Sequence, residues 1–283
     1  MELSAAEIQC AVRAALAEDI GTGDATTLAT VPESATMCAT MVAREPLVFA
    51  GLAFATAAFR ELDRNLVVAP HAADGDSCVK GQILVRVSGS ARAILTAERV
   101  ALNFVQRLSG VATLTAEFVR QVEGTRARIL DTRKTTPGWR RFEKYAVKCG
   151  GGKNHRIGLF DMVLIKDNHL AALRREKPNA IAAAVARARA AAPELKVEVE
   201  ADTLEQVRQA VEARADIILL DNMRPDELRA AVALVGSRAQ TEASGGVNLQ
   251  TVRAIAETGV DFVSVGAITH SARAVDIALD FES

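Results

Sequence analysis

The chain has 283 residues, 49% of them apolar, with 34 Lys and Arg against 35 Asp and Glu and a formal net charge of −1. That length buries one large core or two modest ones, and the balanced charge excludes an extended nucleic-acid surface, which needs a basic excess. The four cysteines, Cys10, Cys38, Cys78 and Cys149, form no Cys-x-x-Cys pair, so no zinc site or disulfide framework is predicted and a reducing cytoplasm is the expected compartment; no signal peptide opens the sequence, and no uncharged apolar run is long enough to span a membrane.

In chain order, residues 4–19 carry the pattern of an amphipathic helix with Ser4 as its N-cap. The polar run GTGDATT (21–27) reads as a loop. Residues 36–49 and 65–88 hold short β-like segments, the second with Val and Leu alternating with polar residues between glycine turns. Residues 91–121 read as a long helix whose Ile94, Ala97, Ala101, Phe104, Val105 and Leu108 share a face, interrupted at Ser109-Gly110. Arg99 and Asn103 lie one turn apart on it, the pattern of a solvated stripe.

From residue 127 the rhythm becomes strand then helix, repeated. Strand-like runs fall at 127–130, 162–165, 196–200, 216–220, 239–243 and 262–266. Each ends on polar or glycine residues: Asp131-Thr132-Arg133-Lys134, Lys166-Asp167-Asn168-His169, Glu200, Asp221-Asn222, Ser244-Gly245-Gly246 and Gly266. Chemistry at the carboxyl end of every strand favours a closed or nearly closed α/β barrel, where the site occupies that rim. An open doubly wound sheet would gather ligands only at its switch point.

The stretch 131–169 concentrates Arg133, Lys134, Arg156 and Lys166, with His155 among them. Cations crowded at strand ends repel unless an anion neutralises them, and an Arg fork fits a carboxylate bidentately. A small, multiply charged anion is the expected ligand. Strand alternation puts Glu198 and Glu200 on one face, and Asp221 follows the apolar run IILL; acids so placed can hold Mg²⁺, directly or through water, bond a sugar hydroxyl, or stabilise a developing cation. For Asp221 a helix cap is the plainer alternative, and for Glu198 a salt-bridged strand residue. The glycine turns SGGV (244–247) and VGAIT (265–269) are candidate phosphate seats after the last two strands. Gly150-Gly151-Gly152 permits either close backbone approach or a flexible loop. Transfer of a sugar phosphate onto an anionic acceptor fits these parts.

Longer runs carry a family likeness: EDIGTGDATT (18–27), MVAREPLVFAG (41–51), DGDSCVKGQIL (74–84), AERVALNFVQRLSGVAT (97–113), DTRKTTPGWRRFEKYAVKCGGGKNHR (131–156), VLIKDNH (163–169), VEVE (197–200), LLDNM (219–223), EASGGV (242–247) and VSVGAITHSA (263–272). Through them the chain resembles the quinolinate phosphoribosyltransferases, also called carboxylating nicotinate-nucleotide pyrophosphorylases. The resemblance implies an N-terminal α/β sandwich domain (1–114, joined by the C-terminal segment 272–283) and an incomplete, about seven-stranded α/β barrel (115–271). It implies transfer of phosphoribosyl from phosphoribosyl pyrophosphate (PRPP) to the ring nitrogen of quinolinate with loss of CO₂, in NAD synthesis. A paralogue acting on another anionic acceptor is the alternative. Arg99, Arg133, His155, Arg156 and Lys166 would bind quinolinate, with Lys134 beside the substrates. Glu200 and Asp221 would face the ribose and Mg²⁺, and Ser244, Gly245, Gly246 and Gly266 would seat the phosphate. Arg99 would come from a neighbouring subunit of a homodimer, with dimer versus hexamer left open; no organic cofactor, nucleic acid or membrane partner is expected. Trp139 departs from the smaller residue frequent in the family.

Overall fold

Ser4 caps the first helix, α1 (Ala5–Ile20): its hydroxyl accepts the Glu7 N–H, while the Glu7 carboxylate accepts the Ser4 N–H at 2.9 Å. The run read as a loop at 21–27 instead leads into a short helix, α2 (Ala25–Thr30), because the Asp24 carboxylate accepts the Thr27 N–H at 2.9 Å. There follow β1 (Thr36–Ala43), β2 (Leu47–Val48), α3 (Leu52–Leu62), β3 (Val67–Pro70), β4 (Ser77–Cys78), β5 (Ile83–Ser90) and α4 (Ala91–Gln121). α4 is continuous, without the interruption expected at Ser109-Gly110. Ser109 Oγ accepts the Ala50 N–H at 2.9 Å and donates to the Ala50 carbonyl at 3.2 Å. A Cβ on Gly110 would overlap the Arg273 carbonyl. Close backbone approach, not a break, explains both residues.

The alternating part contains β6 (Arg128–Leu130), α5 (Arg140–Cys149), β7 (Val163–Ile165), α6 (Asp167–Ala172), α7 (Ala180–Ala191), β8 (Val197–Ala201), α8 (Leu204–Glu212), β9 (Ile217–Asp221), α9 (Pro225–Val235), β10 (Gln240–Ser244), α10 (Val252–Ala256), β11 (Phe262–Ser264) and α11 (Ala267–His270), before a last strand, β12 (Ile277–Phe281). Every strand run read from the sequence between 127 and 266 matches a strand here. The structure, a computed structural model, describes residues 2–282, and the chain divides into two units.

The first unit comprises Met1–Ala116, Arg141–Gly151 and Ser271–Ser283. Its antiparallel sheet has the order β12-β1-β5-β3, so the C-terminal segment returns to it and sets Phe281 opposite Ala39. Residues 141–151, which the sequence boundaries put in the barrel, group with this unit instead. The cause is the inward face of α5: Phe142 meets the Phe54 ring edge-on with centroids 5.1 Å apart, and the fully buried Glu143 pairs with Arg107. Gly150 abuts Ala112 so closely that a Cβ would overlap the Ala112 carbonyl, which decides for close approach over a flexible loop.

The second unit, Glu117–Arg140 and Gly152–His270, holds a six-stranded sheet, all parallel, in the order β6-β11-β10-β9-β8-β7. Lys153 adds a one-residue parallel bridge to Leu130 beside β6, all that the described residues show of a seventh strand. Side chains following both end strands of this order line one cavity, so the sheet curls into an open barrel. Parallel strands covered on both faces are normally apolar throughout, as IILL in β9 is. β8 (VEVEA) is buried along its whole length yet carries Glu198 and Glu200, and β10 buries Glu242. Those three acids are the departure that marks the site. No helix among the described residues is long and apolar enough to cross a membrane.

At the amino ends of the strands two aspartates staple neighbours together. Asp216 Oδ2 accepts the Val197 N–H at 2.7 Å and pairs with Arg189 at 2.8 Å. Asp261 Oδ2 accepts the Thr241 N–H at 2.9 Å and its hydroxyl at 3.0 Å, while Oδ1 meets Arg126. Asp261→Ala would strand a buried donor, whereas Arg126 is 62% exposed and contributes little. Urea unfolding is expected to show a loss of about 2 kcal/mol for Asp261→Ala and under about 0.5 kcal/mol for Arg126→Ala. Equal losses would mean that the ion pair, not the strand bond, carries the staple.

Candidate active site

A cavity of about 610 Å³ opens at the carboxyl ends of the parallel strands, with lining residues supplied on or just after every one of them. Thr132, Arg133 and Lys134 come from beyond β6, His155 and Arg156 from beyond the Lys153 bridge, and Lys166 from beyond β7. Glu200 lies on β8, Leu219, Asp221 and Asn222 on and after β9, and Glu242 with Ser244-Gly245-Gly246 on and after β10. Ser264 completes the wall from β11. Of the residues given a substrate or metal role from sequence, Arg99 and Gly266 are not in this lining, nor is Glu198, which was weighed beside Glu200. Arg99 is an exposed residue of α4 in the first unit. Gly266 sits directly behind Lys134: a Cβ there would lie 3.1 Å from Lys134 Cδ and 3.2 Å from His270 Nε2.

Asp131, fully buried at the end of β6, ties the two cation-bearing loops together. Its Oδ1 accepts the His155 N–H at 2.9 Å, and its Oδ2 accepts the Asn154 side-chain amide at 2.7 Å. Arg133 and Arg156 are thereby held near one another. Burial, and then the Arg133 charge, pull Arg156 below the ordinary guanidinium range. Arg156 donates to the Met162 carbonyl at 3.3 Å, and Arg133 Nε is buried with no hydrogen-bond partner. Lys166 differs: its Nζ is engaged by Glu200 Oε2 at 2.6 Å. An incoming anion therefore finds two guanidinium groups short of acceptors and an ammonium already paired.

Across the cavity, Asp221 is pushed above its usual carboxylate range, first by burial and then by the charges of Glu200 and Asp202. A site that resists a second anion in this way favours a hard cation, so Glu200 and Asp221 fit a divalent metal with oxygen ligands. Beside them, Gly245 and Gly246 adopt φ of 96° and 60°, and the space where a Gly246 side chain would stand is open. Such a turn exposes backbone N–H groups to an anion.

Sequence reading missed Glu242. The only signal was a glutamate within a strand that a parallel sheet must bury. His155 Nε2 lies 3.0 Å from Glu198 Oε2 and 3.5 Å from Glu242 Oε2. These three ligand-type atoms fall within 4.8 Å of one another, a spacing a metal could use. The other ring nitrogen argues against that use. Nδ1 accepts the Arg156 backbone N–H at 2.7 Å, so the ring proton is on Nε2, which cannot then ligate. His155 thus turns Nε2 toward the two buried acids and its backbone side toward Arg156. Neither Glu198 oxygen has a well-aligned hydrogen bond despite the short His155 contact. Two buried carboxyls so close disfavour each other's charge.

The Glu242 carboxyl is pushed up to about 8, first by burial and then by the Glu198 charge. A raised carboxyl binds its proton more tightly when folded. Its contribution to stability is full below the unfolded value of 4.5 and is lost as pH rises toward 8. Thermal stability of the wild type should therefore decline from about pH 5 to about pH 8 more steeply than that of Glu242→Gln, the difference approaching about 1.4 kcal/mol per pH unit. Parallel curves would show that Glu242 is ionised throughout.

Comparison with known proteins agrees with this architecture over both units. Residues 24–109 match the family description "Quinolinate phosphoribosyl transferase, N-terminal domain" and residues 111–280 match "Quinolinate phosphoribosyl transferase, C-terminal domain". The chain is 46% identical over 264 residues to the probable nicotinate-nucleotide pyrophosphorylase [carboxylating] of Bacillus subtilis, covering 93% of this chain and 89% of that protein. It is 46% identical over 275 residues to the nicotinate-nucleotide pyrophosphorylase [carboxylating] of Mycobacterium leprae, covering 95% of each. The solved nicotinate-nucleotide pyrophosphorylase of Francisella tularensis superposes with a TM-score of 0.93 at 40% identity, covering 99% of this chain and 98% of that one. With a parallel barrel whose rim carries the cations, the acids and the glycine turn, the chain belongs to the quinolinate phosphoribosyltransferase family.

Proposed function

We propose that this chain transfers the phosphoribosyl group of PRPP to the ring nitrogen of quinolinate and releases CO₂, giving nicotinate mononucleotide and pyrophosphate for NAD synthesis. The observation that carries the reading is the pairing, in one cavity, of acceptor-hungry guanidinium groups with a carboxylate-and-glycine wall.

Arg133 and Arg156 hold a carboxylate of the pyridine diacid, each charge-assisted bond contributing about 1.5–3 kcal/mol. Lys134 lies beside the substrates, and His155 lines the acceptor side of the cavity with the two guanidinium groups. Glu200 and Asp221 face the ribose hydroxyls, and Ser244, Gly245, Gly246 and Gly266 seat the phosphate. Glu200 and Asp221 would also hold Mg²⁺, which when bound supplies charge neutralisation to the pyrophosphate leaving group.

The pyridine nitrogen needs no general base, because its lone pair is free. A bond forms from that nitrogen to C1 of the ribose as the bond from C1 to the pyrophosphate oxygen breaks. Asp221 and Glu200 present negative charge to the oxocarbenium-like state. The ring is then a pyridinium. The bond from C2 to its carboxylate breaks, CO₂ leaves, and the electron pair left on C2 takes up one proton. A grip equal on both carboxylates would oppose that loss. The cations are unequal here: Lys166 is shared with Glu200 at 2.6 Å, whereas Arg133 Nε is unpaired.

The reading extends to a homodimer in which the exposed Arg99 completes the site of a neighbouring copy, and the four unpaired cysteines suit a reducing cytoplasm.

Carboxyl-labelled quinolinate incubated with PRPP and Mg²⁺ is expected to release labelled CO₂; release from a different anionic acceptor alone would assign the chain to the paralogous activity. In the same assay Arg133→Ala should raise the quinolinate KM at least about tenfold and leave the PRPP KM within about twofold. Equal loss for both substrates would remove Arg133 from the acceptor side. Mixing inactive Arg99→Ala with an inactive Lys134→Ala protein should restore activity through hybrid dimers that contain one intact site. Mixed dimers without activity would confine the site to one chain.

A further inference from the structure

We infer that Asn222 is a positioning residue that ties the Asp221 carboxylate to the Ser244-Gly245-Gly246 turn, so that both walls of the PRPP half of the site are set together. The inference rests on the assignment of that half to PRPP. Three contacts meet in this one side chain and its backbone. Its side-chain Nδ2 donates to Asp221 Oδ2 at 2.7 Å. Its backbone N–H donates to the Ser244 carbonyl at 2.9 Å, across the register that sets Ser244 beside Asp221. Its Oδ1 occupies the place where a Gly245 side chain would stand: a Cβ on Gly245 would overlap that oxygen and lie 2.9 Å from the Asn222 nitrogen.

The residue type follows from these demands. Asn222 has φ of 53°, in the left-handed region that few side chains accept and that Asn tolerates better than most. Asp tolerates the backbone but brings no donor, and would set a second carboxylate against Asp221, already pushed above its usual range. Gly accepts the backbone freely but has no amide. Asn alone supplies left-handed geometry, a donor for Asp221 and a short side chain that packs on a bare Gly245. The amide thus couples the glycine turn to the acid, alongside the Ser244 side chain, which also bonds Asp221. A phosphate seated at the turn and a ribose or cation at Asp221 would each favour the same arrangement.

Calorimetric titrations of PRPP with Mg²⁺, and separately of quinolinate, into wild type, Asn222→Gly, Asn222→Asp, Gly245→Ala and the double variant Asn222→Gly/Gly245→Ala test this. Wild type should bind both substrates; failure to bind PRPP would overturn the assignment of this half, whatever the variants do. Asn222→Gly keeps the backbone unstrained and removes only the amide. Its PRPP affinity should fall at least about tenfold while quinolinate affinity stays within about twofold. Asn222→Asp, nearly identical in shape, should show the same selective loss and serves if the glycine variant unfolds. Gly245→Ala should also weaken PRPP, and the double variant should lose less than the product of the single losses, because the colliding amide is gone. Unchanged PRPP affinity in both Asn222 variants, equal loss for both substrates, or single losses that simply multiply would overturn the role of Asn222.

Discussion

Arg133 and Arg156 are held so that the charge of one disfavours the charge of the other, and burial adds to that cost. Flexible surface cations would move apart. These cannot, because the loops that carry them are fixed to the buried Asp131, which accepts both the His155 backbone and the Asn154 amide. The compensating charges inside the protein are Glu198, fully buried behind the wall, and Asp161, which act to raise Arg156 back toward its ordinary range. Lys166 has its own partner in Glu200, but Arg133 Nε is left buried without an acceptor. A carboxylate of a dianionic pyridine is an acceptor of the right charge for that group.

How much of this could be read from the residues depended on how local the signal was. The parallel strands were legible because a strand buried on both faces must be apolar, and IILL in β9 is unambiguous. The rim groups were legible because they close those runs. The signals that misled were ones whose partner is distant in sequence. Ser109-Gly110 looks like a break, yet it is a place where α4 admits the backbone of Ala50 and Arg273. α5 continues the barrel in sequence order, but the partners of its apolar face, Phe54 and Arg107, lie well upstream. Glu242 was missed because β10, Gln240–Ser244, has one apolar residue, so the strand reads as half solvated and only its place in a parallel array says that the glutamate is buried. Arg99 gave no local signal at all; only resemblance to relatives pointed to it.

The carboxylates show how one strand sorts chemistry by depth. Glu198 and Glu200 lie on the same face of β8, about 7 Å apart along the strand. The deeper one is sealed beside His155 and Glu242, where burial and then its own charge raise the Glu242 carboxyl. The outer one reaches the cavity, meets Lys166 at 2.6 Å and charges the surroundings of Asp221. Two identical side chains therefore do different work: one lies buried behind the guanidinium groups, the other lines the cavity beside Asp221.

The loop that carries His155 shows how one residue serves two layers of the site. His155 Nδ1 accepts the Arg156 backbone N–H at 2.7 Å, so the ring turns Nε2 toward Glu198 and Glu242. Its own backbone N–H is held by the buried Asp131. The imidazole therefore links the backbone that carries Arg156 to the acids behind the wall. Toward the cavity, Lys166 is paired with Glu200 while Arg133 Nε has no partner, so the cations offer an incoming dianion an uneven grip. A grip of that kind suits an acceptor that must keep one carboxylate and release the other.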